Sequence, residues 1–379
     1  MADHKEILSL TGLRFVAALY VFAFHIHMRW PITKIPFIDN ILSQGAIGMS
    51  VFFMLSGYLL MLHYSKASGG VRDYLINRFA RIYPVYFLAG LVTLPWLGIS
   101  LEGSEFDYWI NASRLAFIFL SNLFVIQAWF PPLFSYWNNG GSWSISVEVF
   151  CYVLLPTLIP HLNKLSMRSL MWTVGGLYSF SIMTGLAGKL FGGNYGIPVF
   201  YAMPIFRLPE FILGACAYLM IKNLKAPKFL WLAQLASITI LTSYVGVAGK
   251  WLPSYIGHNW IVIPVVAVTV CTLGVGQGPI NWILSRAIFV WLGKISYCFY
   301  SFQALVVLSL ISYHGQLVSV APVFANSKLL AIVAFIFLTI LSAAGYYFVE
   351  EPARRAIRGR WSSGRNIVSI SATTTTTSP

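Results

Sequence analysis

Charged side chains are scarce in this sequence. Asp, Glu, Lys and Arg make up 9% of its 379 residues, whereas a soluble domain carries about 25%. Hydrophobic residues account for 58% of the chain, and the mean hydropathy is +0.74. So few charges cannot cover the surface of a soluble domain, and the composition therefore predicts an integral membrane protein.

Acidic residues are the scarcer of the two charged kinds. The 11 Asp and Glu residues stand against 25 Lys and Arg residues, which gives a net charge of +14. The basic residues lie at the ends of apolar runs and in short loops, as the positive-inside rule predicts, and they form no separate basic domain. We therefore predict no nucleic-acid partner, and we expect membrane lipids to surround the chain.

Cysteine is also rare, and its pattern argues against two common uses. The four cysteines, at positions 151, 216, 271 and 298, lie singly in or beside apolar runs, with no CxxC pair. We interpret them as small buried hydrophobic residues and predict neither a disulfide framework nor a metal site. The first apolar run is too long for a cleavable signal peptide and is expected to remain as an anchor.

Long apolar runs dominate the rest of the chain. Runs of about 20 residues fit helices that cross a membrane, and the alternating segments of a membrane barrel are absent. We predict an all-α polytopic membrane protein with about ten transmembrane helices. The predicted spans are residues 8–28, 46–64, 80–98, 143–160, 169–190, 203–221, 229–248, 260–276, 287–312 and 329–349.

One further apolar run, residues 113–130, is assigned by charge. If it crossed the membrane, every later loop would invert and the basic C-terminal tail would lie outside, against the distribution of Lys and Arg. We therefore predict a re-entrant or interfacial helix at 113–130, with both termini cytoplasmic; an ordinary span end is the alternative. The spans form one domain, residues 1–352, followed by a basic and then disordered cytoplasmic tail, residues 353–379.

The first span carries two polar residues on one face. Arg14 and His25 are eleven residues apart, which is close to three helical turns and roughly 16 Å along the axis. Ionisable groups inside a membrane usually face a cavity and indicate function. The alternative is that Arg14 reaches the lipid headgroups and His25 is a satisfied core residue. His27 points about 200° away from His25 and is not expected to replace it.

Further polar residues open or close the next spans. Arg78 and Arg81 share a helix face and suit a phosphate-bearing ligand, although a positive-inside anchor explains them equally well. Ser144 and Glu148 share a face just inside the membrane, where the carboxylate needs a partner or a cavity. A helix-capping role would explain Ser144 but not Glu148.

Other polar positions have plainer explanations. Ser56 lies on an aromatic-rich helix beside Gly57, where small residues normally serve helix packing. Asn122, in the 113–130 segment, suits the wall of a polar cavity. The charged segment 207–210 is interpreted as a structural ion pair, and the Glu-Glu-Pro segment 350–352 as a helix terminator. From the residues alone, acid–base catalysis at a membrane cavity and a proton-coupled transporter remain equally open.

The motifs together resemble the membrane-bound acyltransferase 3 family, bacterial integral-membrane O-acyltransferases. The family's Arg/Lys-x10-His pattern matches Arg14 and His25, and its Arg-x-x-Arg pattern matches Arg78 and Arg81. Its Phe-x-x-Ser-Gly and Trp-Ser-x-Ser-x-Glu patterns match residues 53–57 and 143–148. The resemblance runs from Leu8 to about Pro352, and the segments 207–211 and 292–297 are also typical of the family.

The resemblance implies transfer of an acyl group, most often acetyl, from cytoplasmic acetyl-CoA to a hydroxyl of a cell-surface carbohydrate such as O-antigen or exopolysaccharide. His25 would act as the base or carry the acyl group, and Arg14 would orient the thioester or stabilise the oxyanion. Arg78 and Arg81 would hold the CoA phosphates. Glu148 is expected to take part in catalysis, by orienting His25 or by shaping the acceptor side. The acceptor is expected to bind to Trp143, Ser144, Ser56 and Asn122.

The resemblance also sets the expected location and the alternatives. It implies the bacterial inner membrane. A relative that acylates a secreted small molecule of the macrolide type is the nearest alternative, and the transporter is the alternative of another class. Some members carry a fused extracytoplasmic domain that is not evident here, so we expect this chain either to finish the transfer or to use a separate partner enzyme. Gln303 stands where the family often has His, so we carry no polar role over from the family to this position.

Overall fold

The structure, a computed structural model, describes residues 6–65, 70–99, 104–138, 141–223, 229–249 and 258–361. Within these ranges the chain is helical and contains no β-strand. The α-helices are α1 (Leu8–Arg29), α2 (Pro36–Leu42), α3 (Gly48–Tyr64), α4 (Val71–Val92), α5 (Glu105–Leu123), α6 (Trp143–Lys164), α7 (Met167–Phe191), α8 (Pro204–Ile221), α9 (Leu230–Ala248), α10 (Ile263–Gly274), α11 (Pro279–Leu284), α12 (Ala287–Val320), α13 (Ser327–Gly345) and α14 (Glu351–Trp361). Short π-helical segments precede α8 and α10 and join α13 to α14.

The described part of the chain contains eight helical segments that are long and apolar enough to cross a membrane. They are Leu8–Arg29, Pro36–Tyr64, Trp143–Lys164, Met167–Phe191, Ile197–Ile221, Leu230–Ala248, Ala287–Val320 and Ser327–Trp361. Eight of the ten predicted spans lie in these segments, which confirms an all-α polytopic membrane protein. Of the other two, the predicted span 80–98 begins in α4, whose first half is charged. The predicted span 260–276 corresponds to the shorter apolar helix Asn259–Gly274.

The segment predicted as one helix over 113–130 has different boundaries. Its helix, α5, begins at Glu105 because Ser104 and Asp107 form a reciprocal cap, whose hydrogen bonds also lower the pKa of the Asp107 carboxyl. It ends at Leu123, and the chain continues in short 3₁₀ turns after Val125, which has a positive φ of 57°. Helix α5 is not among the eight segments, and its re-entrant or interfacial placement remains a prediction.

Close backbone contacts hold the central helices together. Helix α3 packs on α8, and α1 packs on α12. A Cβ atom at Gly57 would lie 1.8 Å from the carbonyl oxygen of Phe211, and one at Gly293 would lie 2.1 Å from that of Thr11. Small residues that let membrane helices approach in this way stabilise them through dispersion contacts. The interpretation that the small residues Ser56 and Gly57 serve helix packing is therefore confirmed for Gly57.

A buried ion pair lies between α3 and α8. Arg207 Nη1 is 2.8 Å from Glu210 Oε1, and both side chains are almost fully buried. Ser50 donates to the Glu210 carboxylate and accepts from Arg207 Nη2, while the Arg207 guanidinium lies 4.6 Å from the centre of the Tyr201 ring. The predicted structural ion pair is therefore confirmed.

The Glu-Glu-Pro segment continues the chain into another helix. Residues Glu351–Trp361 form α14, which packs against α4. Glu351 pairs with Arg354 and Arg355 on its own helix. The basic part of the predicted tail therefore begins as a helix, and residues 362–379 lie outside the described residues.

Candidate active site

Two cavities lie along the central helices. The first, here called the arginine cavity, has a volume of about 150 Å³ and is lined by Arg14, Leu55, Ser56, Leu59, Leu60, His63, Tyr64, Arg78, Arg81 and Tyr152. The second, the histidine cavity, has a volume of about 320 Å³ and contains His25. The two cavities share no lining residue.

Helices α1, α3 and α6 contribute to both cavities, at different heights, and α6 does so through Tyr152 in the arginine cavity and Trp143 in the histidine cavity. Helix α1 supplies Arg14 to the arginine cavity and five residues between Val21 and Arg29, among them His25, to the histidine cavity. Helix α3 runs the opposite way, with residues 46 and 49, at and just before its start, in the histidine cavity and residues 55–64 in the arginine cavity. Between these levels, buried side chains such as Ala18 and Phe53 fill the core. The cavities therefore lie towards opposite ends of the same helices.

The three predicted arginines converge in the arginine cavity. The sequence placed Arg14 on the first span and Arg78 and Arg81 at the start of the third, and all three line this cavity. The Arg78 guanidinium lies 5.8 Å from the Tyr64 ring centre and 5.9 Å from that of Tyr152. Aromatic faces stabilise a cation while leaving its N–H groups available to a ligand.

Glu148 lies next to the arginine cavity and is hydrogen-bonded to two of the residues that line it. Its carboxylate accepts a hydrogen bond from Ser56 Oγ at 3.0 Å and a very short one from the Tyr152 hydroxyl. Its charge also acts on Arg14 and Arg78. The structure describes no contact between Glu148 and His25. Ser144 bonds instead to Tyr300 of the histidine cavity, so the two residues that were expected together on the acceptor side or beside His25 contact residues of different cavities.

Glu350 is a second carboxylate of this region that the sequence did not indicate. It is 2% exposed and accepts a hydrogen bond from the Cys298 thiol. The charges of Arg81 and Arg14 act on it. Its position before Pro352 was interpreted as part of a helix terminator. The one further feature that could have indicated a functional role is that its carboxylate lies at the end of an apolar run.

His25 lines the larger cavity and contacts a residue of α12. Its Nδ1 lies 3.5 Å from Gln303 Oε1, and Gln303 is almost fully buried. With this amide orientation Nδ1–H donates to Gln303, which leaves the lone pair of Nε2 for a substrate. The expectation that position 303 has no polar role is therefore wrong. The glutamine amide oxygen can accept the hydrogen bond from the imidazole of His25.

His27 has a separate, structural set of partners. Its Nδ1 accepts from the backbone N–H of Ile32 at 3.0 Å, so that Nε2 carries the hydrogen and lies 2.7 Å from Asp39 Oδ1. The ring is buried and does not line the histidine cavity. The expectation that His27 lies away from the face of His25 is confirmed.

Aromatic rings form much of the remaining wall of the histidine cavity. They come from α1, the loop before α6, the start of α6, the segment before α8, and α12: Phe24, Phe134, Trp143, Tyr201 and Tyr300. Ser144 does not line the cavity itself but exchanges a 2.7 Å hydrogen bond with the Tyr300 hydroxyl. Trp143 thus lines the same cavity as His25, and Ser144 lies behind Tyr300; the contacts of both residues with an acceptor stay a prediction.

Asn138 is a further polar residue of this cavity that the sequence motifs did not indicate. Its Nδ2 donates to the carbonyl of Ser301, and its buried Oδ1 has no donor among the described residues. The residue has a positive φ of 52°, a conformation that asparagine tolerates better than most residues. Asn138 therefore carries an acceptor oxygen, on a residue of the cavity wall, that the described residues do not use.

Asn122 lies outside both cavities. Its Nδ2 donates to the carbonyl of Ile118, and its Oδ1 accepts from the Tyr86 hydroxyl at 3.0 Å. The side chain is completely buried, and both of its polar atoms are used by the protein. The prediction that Asn122 contacts substrate is corrected to a role in joining α5 to α4.

The described residues hold no group of three His, Cys, Asp or Glu side chains that could bind a metal ion. Cys151, Cys216 and Cys298 are buried, and Cys271 is partly buried; all four are free thiols. The polar atoms available to a ligand are thus the guanidinium groups of one cavity and the imidazole and side-chain oxygens of the other.

A family model described as an acyltransferase domain matches residues 7–349. Curated proteins of similar sequence include the acyltransferase MdmB of Streptomyces mycarofaciens, which is 26% identical over 318 residues, covering 79% of this chain and 78% of that protein. The putative peptidoglycan O-acetyltransferase YrhL of Bacillus subtilis is 25% identical, over 93% of this chain but 55% of its own length. An O-acetyl transferase of Shigella phage Sf6 is 22% identical, over 68% of this chain and 75% of that protein. No solved structure matches significantly.

Proposed function

Because the chain belongs to the acyltransferase 3 family and is a multi-pass membrane acyltransferase, we propose that it transfers an acetyl group from acetyl-CoA to a hydroxyl of a cell-surface carbohydrate. The observation that carries this proposal is the pair of cavities, one rich in guanidinium groups and the other containing an imidazole and aromatic rings. We place the protein in the bacterial inner membrane with both termini in the cytoplasm, since most Lys and Arg residues then lie inside.

The arginine cavity suits the phosphates of the donor. Three guanidinium groups against two carboxylates, Glu148 and Glu350, leave an excess of positive charge. Guanidinium forks bind phosphate oxygens through paired N–H donors. In the proposed orientation this cavity opens towards the cytoplasm, where acetyl-CoA is made.

The histidine cavity suits a carbohydrate acceptor. Among the described residues that line it there is one cation, Arg29, and no carboxylate. Aromatic rings pack against the apolar faces of sugar rings, while Asn138 and Gln303 bind hydroxyl groups. A volume of about 320 Å³ is at the lower end of the range for small-molecule sites, which favours one sugar unit over a long polysaccharide segment.

His25 performs the proton transfer in the proposed reaction. Nε2 removes the proton from the acceptor hydroxyl, whose oxygen attacks the thioester carbonyl carbon. The tetrahedral intermediate then collapses, the carbon–sulfur bond breaks, and the CoA thiolate leaves and takes the proton back from Nε2. In a second form of the reaction, Nε2 attacks the thioester carbonyl carbon first and displaces the CoA thiolate; the acceptor oxygen then attacks the acetyl-imidazole, its proton passes to the thiolate, and the free imidazole is restored.

Arg14 holds the donor in this arrangement. It lines the other cavity and lies about 16 Å from His25 along α1, which is too far for it to stabilise an oxyanion beside His25. The extended pantetheine arm of CoA is long enough to bridge this separation, and its passage requires the buried side chains between the two cavities, such as Phe53, to move aside. The arginines therefore fix the nucleotide end of CoA while the thioester approaches His25.

Mass spectrometry of surface carbohydrate from cells with and without the gene tests the acceptor. We expect each acceptor unit to lose the mass of one acetyl group in the deletion strain. Unchanged carbohydrate, together with a secreted compound that loses an acyl group, would transfer the proposal to a small-molecule acceptor. Substrate movement across the membrane without CoA release would contradict acyl transfer and favour a transporter.

A further inference from the structure

The C-terminal helix α14 contributes an arginine next to the arginine cavity. Helix α14 packs against α4, the helix that carries Arg78 and Arg81. Arg358 of α14 is partly buried, and its charge acts on both of these arginines. The family model ends at residue 349, so this helix lies beyond the matched region.

Arg358 and Arg78 share an unusual feature. The Nε–H group of each is buried and has no acceptor among the described residues. Buried polar groups are nearly always hydrogen-bonded, and a charged donor without an acceptor is especially costly. The carboxylate of the same helix, Glu351, is already paired with Arg354 and Arg355 and does not fill this role.

The surrounding charges also favour an anion. The groups whose charges act on Arg358 are three arginines, Arg354, Arg78 and Arg81, together with the hydroxyl of Tyr64. Like charges held together repel one another, and this repulsion is relieved when a multivalent anion lies between them. The Tyr64 ring, which also faces Arg78, adds a flat surface beside these groups.

We propose that Arg358 and Arg78 bind a phosphate ester at the entrance of the arginine cavity. If the proposed donor is correct, the phosphate is the 3′-phosphate of CoA, because this group lies at the end of the molecule farthest from the thioester. The headgroup phosphate of an anionic lipid has the same chemistry and is the other source. The C-terminal helix is then part of the binding site and not only an anchor.

Dissociation constants of CoA and of dephospho-CoA, which lacks the 3′-phosphate, test the inference. They are measured with the full chain in nanodiscs of phosphatidylcholine, for the unmodified protein, Arg358→Gln and Arg360→Gln. Arg360 is an exposed arginine on the same helix and provides the matched control. Native mass spectrometry after addition of phosphatidylglycerol measures lipid binding by the same proteins, and size-exclusion chromatography checks that each variant is folded.

We expect the unmodified protein to bind CoA at least about tenfold more tightly than dephospho-CoA, the effect of one charge-assisted phosphate contact. Arg358→Gln should remove this difference and leave dephospho-CoA binding unchanged, whereas Arg360→Gln should preserve it. Loss of phosphatidylglycerol binding in Arg358→Gln, with CoA binding intact, would assign the phosphate site to lipid.

Retention of both the CoA preference and phosphatidylglycerol binding by folded Arg358→Gln would overturn the inference. Equal binding of CoA and dephospho-CoA by the unmodified protein would overturn the assignment to the 3′-phosphate. If the unmodified protein binds neither acetyl-CoA nor CoA, the proposed donor fails. The lipid measurement then still decides whether Arg358 and Arg78 form a phosphate site.

Discussion

Gln303 should control the rate of transfer through the orientation of His25. The amide lies 3.5 Å from Nδ1, and Gln303 is almost fully buried. Replacing it with leucine removes one hydrogen bond, worth about 0.5–1.5 kcal/mol when both partners are neutral. This corresponds to a loss of roughly two- to twelvefold in kcat, since about 1.4 kcal/mol is a factor of ten.

The assay is acetyl-CoA turnover by the purified protein in the presence of acceptor. We expect Gln303→Leu to lower kcat and to leave the KM for acetyl-CoA unchanged, because the donor residues lie in the other cavity. Gln303→Glu keeps an acceptor oxygen for Nδ1–H and should retain more activity than Gln303→Leu. Gln316→Leu, an exposed position on the same helix, is the matched control and should behave like the unmodified protein.

Two results would contradict the proposed orientation of His25 by Gln303. An unchanged kcat in Gln303→Leu would mean that the hydrogen bond does not orient His25. Equal loss of activity in Gln303→Glu and Gln303→Leu would mean that the amide donates to the imidazole, and Nε2 would then carry the hydrogen and could not act as the base.

Three further changes test the packing and the donor cavity. Arg207→Met leaves the carboxylate of Glu210 buried without its partner and should lower the free energy of unfolding by about 3–5 kcal/mol, which is measured as a lower unfolding temperature. The double variant Arg207→Met/Glu210→Gln should recover part of this loss. An unchanged unfolding temperature in the single variant would contradict a structural role of the ion pair. Gly57→Ala places a methyl group 1.8 Å from the Phe211 carbonyl oxygen, so we expect little folded protein by fluorescence-detected size exclusion, and a normal yield would show that α3 and α8 can separate. Tyr152→Phe removes a donor to the cavity carboxylate and should raise the KM for acetyl-CoA more than it lowers kcat, while the reverse pattern in steady-state kinetics would place Tyr152 at the reacting atoms.

Periodicity and hydropathy predicted much of the architecture. Spacing along α1 placed Arg14 and His25 on one face because the helical repeat is fixed. It could not show that this face passes two separate cavities, since their walls come from helices distant in sequence. The same limit applies to Ser144 and Glu148, which share a face of α6 but hydrogen-bond to residues of different cavities.

Long-range contacts account for most of what the sequence did not predict. Gln303 is 278 residues from His25, and its role depends on how α12 packs against α1. Glu350 had a sufficient local explanation as part of a helix terminator, so nothing in its surroundings indicated an arginine cluster. Asn122 looked suited to a cavity wall, but its amide bonds to Tyr86 and to its own helix.

The most direct test of the proposed role of His25 is an assay of acetyl transfer in sealed membrane vesicles. Vesicles with the cytoplasmic face outward receive radiolabelled acetyl-CoA, with the acceptor carbohydrate enclosed, and the label on the carbohydrate is measured at equal amounts of folded protein. We expect transfer by the unmodified protein and by His161→Ala, a change at an exposed histidine of α6, and none by His25→Ala. Full transfer by His25→Ala would contradict the proposed role of His25.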